Sequence, residues 1–481
     1  MLFGIKVSHF GMGREKELIK NTMILSIGKF LPQLLSVITI PLLTYYLSTA
    51  EYGTYDLINT IVSLLLPIAT LQIQSAAFRF LIDERSNKEK EQEIITNILC
   101  FTFILSIIVL LLFYYLLSKV TVATRICMCT YLLMDVLYNT LGQIVRGLSY
   151  NKRFANGSII FSIVKTLAIF INLYLGKSGL LGVLFAIIFA YTMAVIYMAK
   201  TINLKEYIVF RYINKDIITK MLLYSWPMVP NNLSSWVLRI SDRLVITFFL
   251  GVEANAMYAA ANNIPNIINT AKSVFIMAWQ ENASIVSKED DASEYYTKIF
   301  DVTFSVIAGA TALLVAATPL LFKLLIRGSY EDSYFQMPIL FLGVFFGCMS
   351  AFQGGIYIAY KRTKNVGITT MISAVINVVI DLALVKGIGI TAGSVSTLIS
   401  YLFLFLYRMF DVRKFQKIEY NYGKLSLQIL FLSIMAMLCY LQNWLLNCIN
   451  VMASGIFMIV FNKDIIVKLC TTIKKRIGRN V

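Results

Sequence analysis

Apolar windows of about 18 to 25 residues recur along the chain, each closed by a short polar or glycine-bearing turn. They fall near 22–47, 57–78, 94–118, 126–148, 157–176, 180–199, 221–250, 256–280, 299–326, 336–360, 366–386, 389–407, 425–442 and 444–461. The pattern predicts an all-α polytopic membrane protein with about 14 transmembrane helices. Several windows are not uniformly apolar, because their polar residues repeat at helical spacing along one face. The first carries Ser26, Lys29, Gln33 and Ser36; the second Asn59, Ser63, Thr70 and Gln74; the fourth Asp135, Asn139, Gln143 and Arg146. The seventh carries Asn232, Ser235, Arg239 and Arg243, the eighth Asn262, Asn266, Asn269, Ser273 and Gln280, and the eleventh Thr370, Ser373, Asn377 and Asp381. Stripes on windows 1, 2, 7 and 8 occupy equivalent places in two halves, and they predict one polar cleft.

Two segments are similar to each other. NKRFANGSIIFSIVKTLAIFINLYLGKSGLLGV from Asn151 and YKRTKNVGITTMISAVINVVIDLALVKGIGITAGSV from Tyr360 share a basic pair, an Asn and a glycine-rich turn at an offset of 209. Windows 4–6 and 10–12 therefore read as copies in the same orientation, the pattern of a transporter with its site between two lobes. This divides the chain into 1–209 (helices 1–6), 210–420 (helices 7–12) and 421–481 (helices 13 and 14 and a basic tail).

The chain has 481 residues, 58% hydrophobic and 14% charged, with a mean hydropathy of +0.73 and a net charge of +17. So large a positive charge suggests nucleic-acid binding, but its placement gives a different cause. With the N-terminus set inside, alternate tails and loops hold thirty-two of the 43 Lys and Arg, against five in the opposite set. Lys and Arg are retained on the cytoplasmic side, so both termini are expected there, in the inner (cytoplasmic) membrane, with no nucleic-acid partner. The first twenty residues lack a signal peptide's order and are expected to be retained. The seven cysteines lie in or beside apolar windows and are expected to be reduced. His9 is the single histidine, which deprives an enzyme reading of its commonest base. No cofactor or metal is called for.

Six basic residues lie inside windows: Lys29, Lys165, Arg239, Arg243, Lys272 and Lys323. A Lys or Arg at mid-bilayer costs about 2.5 to 3.5 kcal/mol on insertion scales, so most of them must face protein or water. Arg239 and Arg243 lie one turn apart, with Asp242 placed to neutralise one of them. The positive surplus implies an anionic substrate. The substrate-binding candidates are Arg239, Arg243, Lys29, Lys272, Arg79, Lys165, Arg146, Asn232 and Gln33, with Asp242, Asp135 and Asp381 as charge partners or coupling groups. Trp226, Trp236, Trp279, Tyr45, Tyr46 and Tyr258 could stack on sugar faces, although Tyr and Trp near span ends are more often interfacial anchors. The bland reading of the Ser, Thr and Asn positions is hydrogen bonding between helices.

With these residues in hand, the chain resembles the polysaccharide flippases of the MOP superfamily, the Wzx-type transporters of O-antigen and capsule repeat units. The stretches that carry it are YYLSTAEYGTYDL at Tyr45, YSWPMVPNNLSSWVLRISDRLVITFFLG at Tyr224 and KNVGITTMISAVINVVIDLALVKGIGITAGSVST at Lys364. A departure is MYAAANN at Met257, where many relatives carry a Gly two residues before the Tyr. The resemblance implies two six-helix lobes around a central cleft plus helices 13 and 14. It also implies alternating access and a polyprenyl-pyrophosphate-linked glycan as substrate, with membrane lipid, polysaccharide polymerase and chain-length machinery as partners. Alternatives are a lipid II or teichoic-acid exporter of the same fold, or a MATE-like drug antiporter, whose cationic substrates favour an acidic cleft. A polymerase is disfavoured by external loops of roughly ten residues or fewer.

Overall fold

A computed structural model of the chain describes residues 28, 31–84, 87–118, 120–287, 289–463 and 467. At Arg239 and a few other helical positions it describes the backbone alone. The helices are α1 (Leu31–Tyr46), α2 (Thr49–Thr70), α3 (Ile73–Asp83), α4 (Lys88–Leu116), α5 (Val122–Gly147), α6 (Asn151–Phe170), α7 (Gly179–Thr201), α8 (Lys215–Ser225) and α9 (Met228–Leu250). They continue as α10 (Val252–Val286), α11 (Ala292–Ala316), α12 (Thr318–Leu325), α13 (Glu331–Ala359), α14 (Thr363–Ile388), α15 (Thr391–Val412), α16 (Tyr422–Tyr440) and α17 (Trp444–Phe461). Among the described residues each of the fourteen windows holds helix, and three of them a pair: α2 with α3, α8 with α9, and α11 with α12. A proline lies in or beside each break: Pro67 before the first, Pro227 within the second, Pro319 just after the third. Proline withholds a helical N–H and crowds the preceding turn. The α2–α3 pair bends by 52° where Leu71 and Gln72 adopt left-handed backbone.

Among the described residues, nine helices are long and apolar enough to cross a membrane, or ten with the bent pair counted as one span. Of the described helices, α5, α9, α10 and the bent pair fall outside these nine and carry polar stripes, whereas α14 carries a stripe and is one of the nine. The protein is a multi-pass membrane protein of all-α fold.

The chain packs as two compact units. One comprises Met1–Thr39 and Ile61–Pro230; the other comprises Ile40–Thr60 and Asn231–Val481. In the first, Ile73 and Leu81 of α3, Ile95 and Ile98 of α4, and Ile144 and Val145 of α5 form a buried core with Met198 and Met221. In the second, α13 is central, packed by α10, α11, α15 and α16. Its path is cleared by glycine: a Cβ on Gly355 would lie 2.4 Å from Trp279. The Trp279 indole stacks on Phe352 at 4.2 Å and donates to its carbonyl, so this residue builds core and is no sugar platform.

The internal repeat recurs in the backbone with a shifted register. Ser149 and Lys361, both left-handed, end α5 and α13; Lys177 and Gly389, both with positive φ, precede α7 and α15. Each pair is 212 positions apart, and the helix starts Asn151 and Thr363 share that spacing. The identities at 209 are one short turn out of register. A helical pattern nearly matches itself when slid by three residues, so sequence matching slips where turns do not.

Candidate functional site

Adjacent residues on a helix point about 100° apart, and α9 uses this to send Asp242 and Arg243 into different surroundings. Asp242 is 1% exposed. One of its oxygens accepts from the Tyr258 hydroxyl of α10 at 2.6 Å and from the Thr397 hydroxyl of α15 at 2.7 Å. Among the described side chains no hydrogen bond of ordinary geometry reaches the other. On α14, Asp381 is fully buried, and among the described residues neither of its carboxyl oxygens meets a donor. It stands near enough to Asp242 for the two charges to interact. Asn377, one turn before Asp381, accepts from Ser241 at 3.1 Å and donates to Ser396 at 3.3 Å. Two buried carboxyl groups this close can take up a proton or a small cation. Tyr258 serves this cluster as a donor and is 1% exposed, so it is not a stacking surface.

Arg243 turns to α2. Its Nη1 donates to Asp56 at 2.7 Å, with the two side chains 12% and 10% exposed. Asn255 donates to the other Asp56 oxygen and to the Gly53 carbonyl, both at 3.2 Å. The approach is close: a Cβ on Gly53 would fall 1.8 Å from the Val252 carbonyl oxygen. Arg243 is thus matched by a carboxylate within its own unit. Sequence reasoning missed Asp56 because it sits one residue before the second apolar window. The structure begins α2 at Thr49, which places Asp56 inside the helix.

The remaining candidates divide between the units. In the first, Asp135 of α5 is buried and bonded to Asn139 at 2.8 Å, near Tyr191. Tyr191 packs on Phe161, and Lys165 lies over the Phe161 ring at 5.5 Å. The Arg146 guanidinium is 4.7 Å from the centre of the Phe78 ring and 5.5 Å from that of Phe154, and it donates to Gln143. Arg79 pairs with Asp83 on an exposed helix face, a contact of little energetic weight. Gln33 is half-buried on α1. In the second unit, Lys272 donates to Asn269 at 2.7 Å and lies 6.0 Å from the Tyr401 ring centre. Asn232 is half-buried in the first turn of α9. Lys29 and the Arg239 side chain lie outside the described residues.

A second buried cation went unread. Arg408, placed by the sequence just past its window, lies inside α15 and is 3% exposed. Among the described residues its donors meet neutral acceptors: the Ser350 and Val366 carbonyls and the Thr369 and Thr370 hydroxyls. It fastens α15 to α13 and α14.

Helices of this number and polarity, paired in repeated units with ionisable side chains at membrane depth, define a membrane transporter. The chain belongs to the polysaccharide biosynthesis protein family, whose model matches residues 18–280. No curated protein matches it by sequence. Its fold is similar to that of the lipid II flippase MurJ in an inward closed conformation, at 16% identity and a TM-score of 0.72, covering 92% of this chain and 100% of that one. It is also similar to a multidrug resistance MATE family transporter of the MOP superfamily in an inward-facing conformation. There the identity is 15% and the TM-score 0.62, over 84% of this chain and 96% of that one. A further MOP superfamily transporter, from Pyrococcus furiosus, matches with 13% identity and a TM-score of 0.57, over 83% and 96%.

Proposed function

We propose that this chain is a flippase that moves a polyprenyl-pyrophosphate-linked oligosaccharide repeat unit from the cytoplasmic to the outer leaflet by alternating access. It performs no covalent chemistry. The family match joined to polar helices carries the reading: α5, α9 and α10 hold basic and amide side chains within apolar windows, and α1 holds the Gln33 amide, where a phosphate-bearing headgroup could be held while its lipid tail stays in the bilayer. We assign substrate contact to Arg239, Lys29, Lys272, Arg146, Lys165, Asn232 and Gln33, with Arg79 at the cytoplasmic mouth. Arg243 contributes from its pair with Asp56. The functional lobes are 1–209 and 210–420, followed by 421–481. Both termini face the cytoplasm, and the protein sits in the inner membrane beside the polymerase and chain-length machinery that use its product.

The buried carboxyls serve coupling. Asp242 and Asp381, and separately Asp135, take up and release a proton or cation as the empty carrier resets. Transport into vesicles should fall when proton and sodium gradients are collapsed together; transport that ignores both gradients removes this role.

A deletion strain, with its lipid extract examined by mass spectrometry, tests the flippase reading. A complete lipid-linked repeat unit should accumulate and stay inaccessible to glycan-cleaving enzymes outside the membrane. An intermediate lacking sugars, or one freely cleaved from outside, would overturn it.

A further inference from the structure

On the first unit, a groove of about 320 Å³ runs between α4 and the segment joining α7 to α8. Cys100, Ile104 and Ile108 of α4 form one wall, and Phe210, Ile213 and Ile218 form the other, with no polar lining atom. Two features separate it from ordinary lipid-facing surface.

The first is a fixed wall. The connecting segment is strapped to α4 by side chains that address its backbone. Thr96 donates to the Tyr207 carbonyl and accepts from the Val209 amide. Asn97 donates to the Tyr212 carbonyl and accepts from the Asn214 amide. Gln92 donates to the Glu206 carbonyl. Both Thr96 and Asn97 are fully buried. The groove is therefore preformed, and Phe210 and Ile213 are held 72% and 52% exposed, where water alone would be unfavourable.

The second is charge. Lys205, Arg211, Lys215 and Lys220 are exposed along the same segment and the start of α8. Of the nearby acids, Glu206 is occupied by Lys88 at 3.0 Å, Glu93 by Lys90 and the Asn214 side-chain amide, both at 3.3 Å, Glu91 stands near Tyr207, and Asp216 sits in the first turn of α8. An apolar slot edged by exposed cations at a cytoplasmic interface matches a lipid with one chain in the slot and a phosphate at the rim.

We propose that this groove is a resident site for an anionic phospholipid of the cytoplasmic leaflet, held by Arg211 and Lys215 at its headgroup and by Ile104, Ile108, Phe210 and Ile213 along one acyl chain. A resident lipid is favoured over the transported molecule because the groove's lining has no polar atom to receive sugars. The site lies wholly in the first unit and stands whether or not the flippase reading does.

The full-length protein, purified in mild detergent, is mixed with phosphatidylglycerol, phosphatidylethanolamine or polyprenyl phosphate, and bound lipid is counted by native mass spectrometry. Wild type should retain one phosphatidylglycerol in preference to phosphatidylethanolamine. Retention should fall roughly tenfold or more in Arg211→Gln with Lys215→Gln, as expected for two interfacial cations. It should be lost in Ile104→Trp, which fills the slot, and persist in Ile434→Trp, an equally bulky change on the exposed face of α16. Equal retention of phosphatidylethanolamine, survival of binding in Ile104→Trp, or preference for polyprenyl phosphate overturns the proposal. Should Ile104→Trp fail to elute as a monodisperse species, the charge variant decides.

Discussion

Arg243 and Arg239 lie one turn apart on α9, yet they call for different experiments. Arg243 faces Asp56, so Asp56→Ala strands a cation that is 12% exposed. Breaking one side of such a pair costs about 3–5 kcal/mol; the expected outcome is a lower melting temperature and less protein in the membrane, with both partly restored in Asp56→Ala with Arg243→Ala. Arg239→Ala should leave membrane levels intact and abolish export, while Arg239→Lys keeps partial activity because charge persists without the bidentate fork. Export restored in Arg239→Ala with Asp242→Ala would show that Arg239 is only a structural partner. Arg408→Lys tests the clamp on α15: one ammonium cannot reach the carbonyls and hydroxyls met by a guanidinium. Its melting temperature should fall, and export per molecule should stay near wild type. The charged members of the α9 and α14 stripes were legible in the sequence. Asp56 and Arg408 were not, because each lies a single residue beyond an apolar window, and hydropathy locates a helix better than its ends.

At the scale of helices, each window became helix because apolar runs of this length leave the backbone no other way to satisfy its polar groups in lipid. What the windows could not show was where a span breaks. That depends on prolines and on left-handed residues such as Leu71 and Gln72, whose positions an average over the window does not report. The two polar readings offered from sequence also divide by helix. On α14, Ser373 donates to the Ser400 carbonyl, which is interhelical bonding, while Asp381 eight residues on meets no donor among the described residues. Packing sets a further test on α13. Gly355→Leu should force Trp279 off Phe352 and cost on the order of 3 kcal/mol, read as a lower melting temperature; an unchanged value would mean that the indole has room to move.

For the molecule as a whole, the basic-residue asymmetry makes a labelling prediction. Single cysteines at Ser178, Glu253 and Ser329 should react with an impermeant thiol reagent from outside. Those at Asn151, Asn214 and Ser287 should react only after permeabilisation, and reversal at two of these positions would sink the fourteen-span topology. Charge counting could reach this prediction because the positive-inside rule acts on loops, which are contiguous in sequence. It could not reach the way the chain is shared between packing units, since Ile40–Thr60 joins residues from 231 onward through contacts such as Asn263 with Tyr52 and the Arg327 amide with Thr44.

That sharing has a consequence for biosynthesis. The ribosome delivers Asp56 long before Arg243 exists, so the nascent chain must carry an unmatched carboxylate into α2 and wait for its partner. A chain severed within the 202–214 connection should behave accordingly. The fragment 215–481 made alone lacks a piece of its own packing unit and should be degraded, whereas co-expression with 1–214 should restore it to the membrane. Survival of 215–481 by itself would mean that the second unit completes without its earliest-made strip.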